Sequence, residues 1–178
     1  MASKQMRAEM DRLFDFVKES NRIEGIYRDP TNQEIAAHEA LVTLGTLVVA
    51  DMECFVTVVQ PGAILRREHG VNVRVGSHIA PPGGAGIEPA LENLLGLSSD
   101  GDPYAIHHEY ETLHPFTDGN GRSGRALWLR MMYERGRLDQ ALALGFLHNW
   151  YYQTLQHGYL GARCRTIKPI KGARLSSF

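Results

Sequence analysis

Most of this chain's chemistry is concentrated in one unbroken run, His114-Pro115-Phe116-Thr117-Asp118-Gly119-Asn120-Gly121-Arg122-Ser123-Gly124-Arg125. Pro115 and the three glycines forbid a continuous helix, while helical patterns lie on both sides. The run therefore reads as a tight loop feeding a helix N-terminus near Arg122. Such a junction presents backbone N–H groups without partners and the positive end of a helix dipole, which together attract an anion. Gly-Asn-Gly allows the strained backbone that turns successive N–H groups into a nest. Arg122 and Arg125, three apart, share one face of the first helical turn, and their planar forks suit phosphate oxygens. Asp118 offers the hard oxygen that Mg²⁺ prefers. His114 stands at the loop entrance, where a neutral imidazole can take a proton near pH 7. A base, a metal ligand, an anion nest and two arginines in this order describe a phosphoryl- or nucleotidyl-transfer site.

The elements that must position this loop are mostly helical. Met6, Met10, Leu13, Phe14 and Val17 fall at helical spacing and predict an amphipathic helix over 4–19. Continued a little further, its apolar stripe takes in Ser20 and Glu24, and a carboxylate on an apolar seam requires a partner. Thr31 with Glu34 forms a capping-box signature for a second helix, apolar nearly all round from Ile35 to Val49 and so expected at the centre of the fold. Further helices are predicted at about 51–59, 88–97, 103–113, 123–135 and 138–159. Residues 71–79, VNVRVGSHI, alternate apolar and polar about Gly-Ser and predict a strand or small hairpin. The fold class expected is mainly α, a helical bundle with one short β-hairpin.

Composition bounds the rest. The chain has 178 residues, one domain's worth. Nineteen basic residues against twenty acidic ones leave a net charge of −1, so no global field draws it to nucleic acid or anionic lipid. No apolar run approaches a membrane span, and the N-terminus has no signal-peptide pattern. Two cysteines, Cys54 and Cys164, are too few for a disulfide framework, and a reducing, cytoplasmic location is expected. His108-Glu109-x₄-His114 lacks the spacing that places two imidazoles on one helical face, so packing rather than zinc is expected of it. Trp150-Tyr151-Tyr152 reads as aromatic packing, and the tail from Gly161, with Arg163, Arg165, Lys168, Lys171 and Arg174, as a solvated basic extension.

HPFTDGNGRSGR resembles the signature of the Fic (filamentation induced by cAMP) family, His-x-Phe-x-Asp/Glu-Gly-Asn-Gly-Arg-x-x-Arg, with every fixed position present. The resemblance covers about residues 1–160, most closely 104–135. It implies a Fic-type bundle with a hairpin flap, divided into an inhibitory helix (1–28), a catalytic core (29–160) and the basic tail (161–178). It further implies a protein adenylyltransferase that moves AMP from ATP to a Tyr, Ser or Thr hydroxyl of a target protein. By resemblance, His114 is the base, Asp118 holds Mg²⁺, and Gly119, Asn120 and Gly121 form the anion hole. Arg122 and Arg125 hold the distal phosphates, Phe116 anchors the loop, and the hairpin registers the target by backbone pairing. Ser20-Asn21-Arg22-Ile23-Glu24-Gly25 is similar to the family's inhibitory pattern, Ser/Thr-x-x-x-Glu-Gly/Asn, in which the glutamate pairs with the second signature arginine, here Arg125.

The site as read from sequence leaves other transfers open: UMP, phosphocholine or phosphate in place of AMP, or removal of AMP by water. A non-enzymatic nucleotide sensor or partner-binding module is the rival from another class. Target, oligomeric state and delivery into another cell are not legible.

Overall fold

A computed structural model of the chain describes residues 2–75 and 78–143. Seven helices and one two-stranded hairpin are found among them: α1 (Ala2–Ile23), α2 (Asn32–Thr43), α3 (Val49–Val59), β1 (Arg74–Val75), β2 (His78–Ile79), α4 (Ile87–Leu97), α5 (Pro103–Leu113), α6 (Asn120–Glu134) and α7 (Leu138–Ala141). The architecture is mainly α, as the periodicity implies. The expected helix over 138–159 is described only as far as α7. The aromatic run at Trp150, Cys164 and the basic tail lie outside the described residues.

The helix starts follow local rules. Thr31 caps α2 by accepting from the Glu34 amide, while the Thr31 amide donates to the Glu34 carboxylate at 2.7 Å. Asp102 caps α5 by accepting from the Ala105 amide, and Pro103 occupies the first turn, where its missing N–H is not needed. β1 and β2 are antiparallel, with Arg74 opposite Ile79 and Val75 opposite His78.

Two expectations are corrected. α2 ends at Thr43, and Leu44 is extended; Arg130 donates to the Leu44 and Gly45 carbonyls and so satisfies the helix end from outside. Its outward positions are exposed, so α2 is not the central helix. That place belongs to α6, which packs on α1, α2, α3, α5 and α7 and is buried from Asn120 almost to its end. The apolar seam of α1 is also shifted: Phe16, Val17 and Ser20 are buried, while Phe14 is half-buried with the Lys18 ammonium over its ring.

The core falls into two clusters. Leu41, Met52, Phe55, Val56, Leu91, Tyr110, Phe116 and Leu127 belong to the larger, under the loop; Phe16, Val17, Val42, Trp128 and Leu129 join α1 to the outer side of α6. No helix among the described residues is long and apolar enough to cross a membrane.

Candidate active site

α5 ends one residue before the loop, and His114 is its C-cap in the left-handed region, φ 49° and ψ 62°. It is the one non-glycine residue among those described with positive φ. That conformation costs an L-residue about 1–2 kcal/mol and persists where the surroundings fix it. Here the His114 amide donates to the Tyr110 carbonyl at 2.9 Å, and its own carbonyl accepts from Arg66 Nε at 2.7 Å. Beyond it, Phe116 is buried and bridges to Leu65, and the Thr117 amide donates to the Ile64 carbonyl.

Asn120 clips the loop shut: its Oδ1 accepts from the Phe116 amide at 2.9 Å and its Nδ2 donates to the Phe116 carbonyl at 2.8 Å. Its side chain is thus spent on the loop, and what it can offer an anion is its backbone N–H. Gly119 caps α6 at φ 75°, a turn that favours glycine, and its carbonyl accepts from the Ser123 amide and hydroxyl. α6 starts at Asn120 rather than near Arg122, so the N–H groups of its first turn all belong to the signature.

His114 Nδ1 lies 3.2 Å from the Glu111 carbonyl, which makes Nδ1 the protonated nitrogen and leaves Nε2 as acceptor. Burial, joined by the positive charge of Arg66, holds this imidazole below its ordinary pKa, so it is neutral at pH 7. Asp118 is exposed; its Oδ1 accepts from the Gly119 amide at 2.6 Å and its Oδ2 from Gln60 Nε2 at 2.7 Å. Gln60 in turn accepts from Arg122 Nη2, and Arg122 Nη1 donates to the Val59 carbonyl at the end of α3. Arg122 is buried and its Nε–H has no hydrogen-bond partner among the described residues, a donor aimed into the protein with nothing to receive it.

Arg125 is 1% exposed and engages the N-terminal segment. Its Nε donates to Ser20 Oγ at 2.9 Å, and its Nη2 donates to the Ser20 carbonyl at 3.0 Å and to Glu24 Oε1 at 2.6 Å. Glu24 lies just past the end of α1 and keeps 37% of its side chain exposed, so it is a bridging residue rather than a member of the apolar seam. Its Oε1 stands 2.2 Å from where a Cβ would be at Gly121, so only glycine admits the carboxylate to the head of α6. Asn21, which follows Ser20, donates from Nδ2 to Glu34 Oε1 at 3.3 Å, and Arg28 grips both Glu34 oxygens at 2.7 and 2.9 Å. Burial alone would raise the Glu34 pKa, but the hydrogen bonds from Arg28 and the Thr31 amide hold it at about 2. This ion pair fixes the end of α1 against the start of α2.

The structure therefore brings every signature residue, Ser20 and Glu24 to one place. Sequence reasoning missed Gln60, which links Asp118 to Arg122, and Arg66, which reaches the loop from beside the hairpin. Neither carries a spacing signal, since both act across more than forty residues. His78 of β2 also docks here, its Nε2 2.9 Å from the Thr112 carbonyl. His107 is buried on α5 at the α6 interface, and burial lowers its pKa to about 3.

Residues 56–132 match the model of the Fic/DOC family. The chain is also similar in fold to the crystal structure of a Fic family protein from Desulfovibrio desulfuricans G20, at 17% identity and a TM-score of 0.50, over 96% of this chain and 71% of that one.

Proposed function

We propose that this chain, whose residues 56–132 match the Fic/DOC family model, is a Fic-type protein adenylyltransferase held off by its own Glu24. It transfers AMP from ATP to a Tyr, Ser or Thr hydroxyl of a target protein and releases pyrophosphate. The observation that carries this reading is a built-in anion: the Glu24 carboxylate sits on Gly121 and Arg125 at the head of α6, where a phosphate of ATP would go.

The chemistry follows from the residues in place. The target hydroxyl oxygen bonds to the α-phosphorus, the bond from that phosphorus to the β-bridging oxygen breaks, and the hydroxyl proton goes to His114 Nε2. General-base help of this kind is worth about 10²–10⁴ in rate. The first N–H groups of α6, Arg122 and Arg125 meet the charge that develops toward pyrophosphate. The donor set also fits magnesium: Asp118 is an exposed carboxylate whose two oxygens each accept one hydrogen bond and keep a lone pair. When bound there, Mg²⁺ would neutralise charge on the α and β phosphates. The hairpin suits a target segment that pairs by its backbone.

Inhibition is competition for one guanidinium. While Arg125 holds Glu24 it cannot hold the γ-phosphate, and the carboxylate repels that phosphate. In this reading residues 1–28 are the inhibitory helix, 29–160 the catalytic core and 161–178 a basic tail, and the protein works in a reducing cytoplasm.

The test is transfer in a lysate by the Glu24→Gly protein with α-labelled and γ-labelled ATP, followed by mass spectrometry of labelled bands. Label from the α position alone, with a mass gain of AMP, is expected. Label from the γ position would make the enzyme a phosphotransferase.

A further inference from the structure

We propose that Arg66 is a positioning residue for the transfer reaction: its guanidinium ties the backbone of His114 to both ends of the hairpin segment, so that the base and the surface that registers the target keep one fixed distance. This rests on the adenylyl-transfer reading for its rate measurement, but the geometry behind it is independent.

Arg66 is fully buried, and its hydrogen bonds to carbonyls divide into two sets. Nε donates to His114 at 2.7 Å and Nη2 to Leu113 at 2.8 Å, the last carbonyls of α5. Nη1 donates to Val71 at 3.2 Å and to Pro81 at 2.8 Å, which flank β1 and β2. The Arg66 backbone adds a third link, donating to the Pro115 carbonyl at 2.9 Å and accepting from the Gly84 amide at 3.0 Å. One side chain thus joins the catalytic loop, the entry to the hairpin and its exit.

The chemistry explains why an arginine stands there. A buried cation without a carboxylate is costly, and among the described residues none pairs with it. The negative end of the α5 dipole offsets part of this cost. A fork with five donors in one plane can address carbonyls on two sides at once; a tetrahedral ammonium cannot. The carbonyl of His114 is the group that the left-handed turn swings away from the α5 axis, and Arg66 receives it. Releasing it lets His114 relax toward ordinary backbone and carries the imidazole off its line to the hydroxyl, where about 1 Å costs about 100-fold in rate. Among the described residues no hydrogen bond of Arg66 reaches the residues proposed to bind phosphate, so nucleotide affinity is a separate quantity.

The experiment compares the full chain carrying Glu24→Gly with the same chain carrying also Arg66→Lys. Self-transfer from α-labelled ATP at saturation, calorimetric ATP affinity and amide hydrogen exchange are measured together. The transfer rate is expected to fall about 100-fold while ATP affinity stays within about twofold, with faster exchange at the hairpin flanks and at His114 but not in α6. A rate within about threefold of the parent overturns the proposal, as does a loss of rate that follows a loss of ATP affinity and of protection in α6. If Arg66→Lys does not fold, Arg66→Gln replaces it, and failure of both makes Arg66 a stability residue and overturns the assignment. If Glu24→Gly itself transfers no label, the adenylyl-transfer reading has failed. The exchange pattern then decides on Arg66 alone: joint loosening of hairpin flanks and His114 supports the link, and any other pattern overturns it.

Discussion

Glu24 and Arg125 stand 101 residues apart in the chain and 2.6 Å apart in space, with the bare Cα of Gly121 beside them. The pair joins a one-third-exposed carboxylate to a buried guanidinium, so its two halves are not equivalent. Glu24 can leave for water; Arg125 cannot, and without Glu24 it keeps its bonds to Ser20 and is open to whatever anion arrives.

Replacing Glu24 with Gly is therefore expected to raise AMP transfer, self-modification included, by about 100-fold, the scale of a ~1 Å correction to in-line geometry. The same change is expected to lower stability by about 1 kcal/mol, discounted for the exposure of Glu24. ATP then raises the melting temperature more in the variant than in the parent. Equal transfer by the two proteins, on themselves and on several target pools, would end the inhibitory assignment.

His114→Ala in the Glu24→Gly background should abolish transfer and leave ATP binding intact, because in the proposed mechanism the imidazole meets the hydroxyl rather than the phosphates. The rate of the intact base should also hold below pH 6.5, since burial lowers the pKa of His114 and only its neutral form accepts a proton. A rate that already falls off above pH 6.5 contradicts this placement.

Asp118→Asn should weaken the magnesium dependence of ATP binding, a neutral amide replacing a carboxylate at a hard cation. Calorimetric titration with and without Mg²⁺ checks it; an unchanged dependence points to a different ligand.

Asn120→Ala should cost about 2 kcal/mol or more in denaturant unfolding, because it orphans a buried amide and a buried carbonyl of Phe116 together. Asn120→Asp, which keeps an acceptor for the Phe116 amide but loses the donor, should recover part of this.

Stability itself should fall between about pH 6.5 and pH 3. Burial lowers the pKa of His38 to about 4 and of His107 to about 3, so in that window the unfolded chain takes up protons that the folded one refuses. The contribution is complete above pH 6.5 and is lost on acidification, with an upper bound of about 3 kcal/mol for His38. His38→Phe should flatten the pH dependence, and an unflattened curve would relocate the effect.

The loop was legible in the sequence because its constraints are local: Pro115, Gly119 and Asn120 act within a few residues of one another. The cap of α2, Thr31 with Glu34, was legible for the same reason. The centre of the fold was not. α6 carries Arg122, Arg125 and Arg130, and hydropathy marks such a helix as a surface one; the structure buries all three by giving them carbonyls, and Arg125 the Glu24 carboxylate, at the C-terminal ends of α1, α2 and α3. The expected central helix, α2, reads as apolar because of alanines, whose burial is worth little. Gln60 and Arg66 were invisible because long-range partnership leaves no periodicity.

Residues 24–31 are all that separate the end of α1 from the start of α2. A segment tethered this closely to its own binding site is present there at an effective concentration in the millimolar range, however dilute the protein. On the proposed reading, restraint of the site by Glu24 is a first-order event, indifferent to expression level. A single backbone cut between Gly25 and Pro30 would make it second-order, and the freed helix would then have to be supplied at about millimolar concentration to compete as it does when joined.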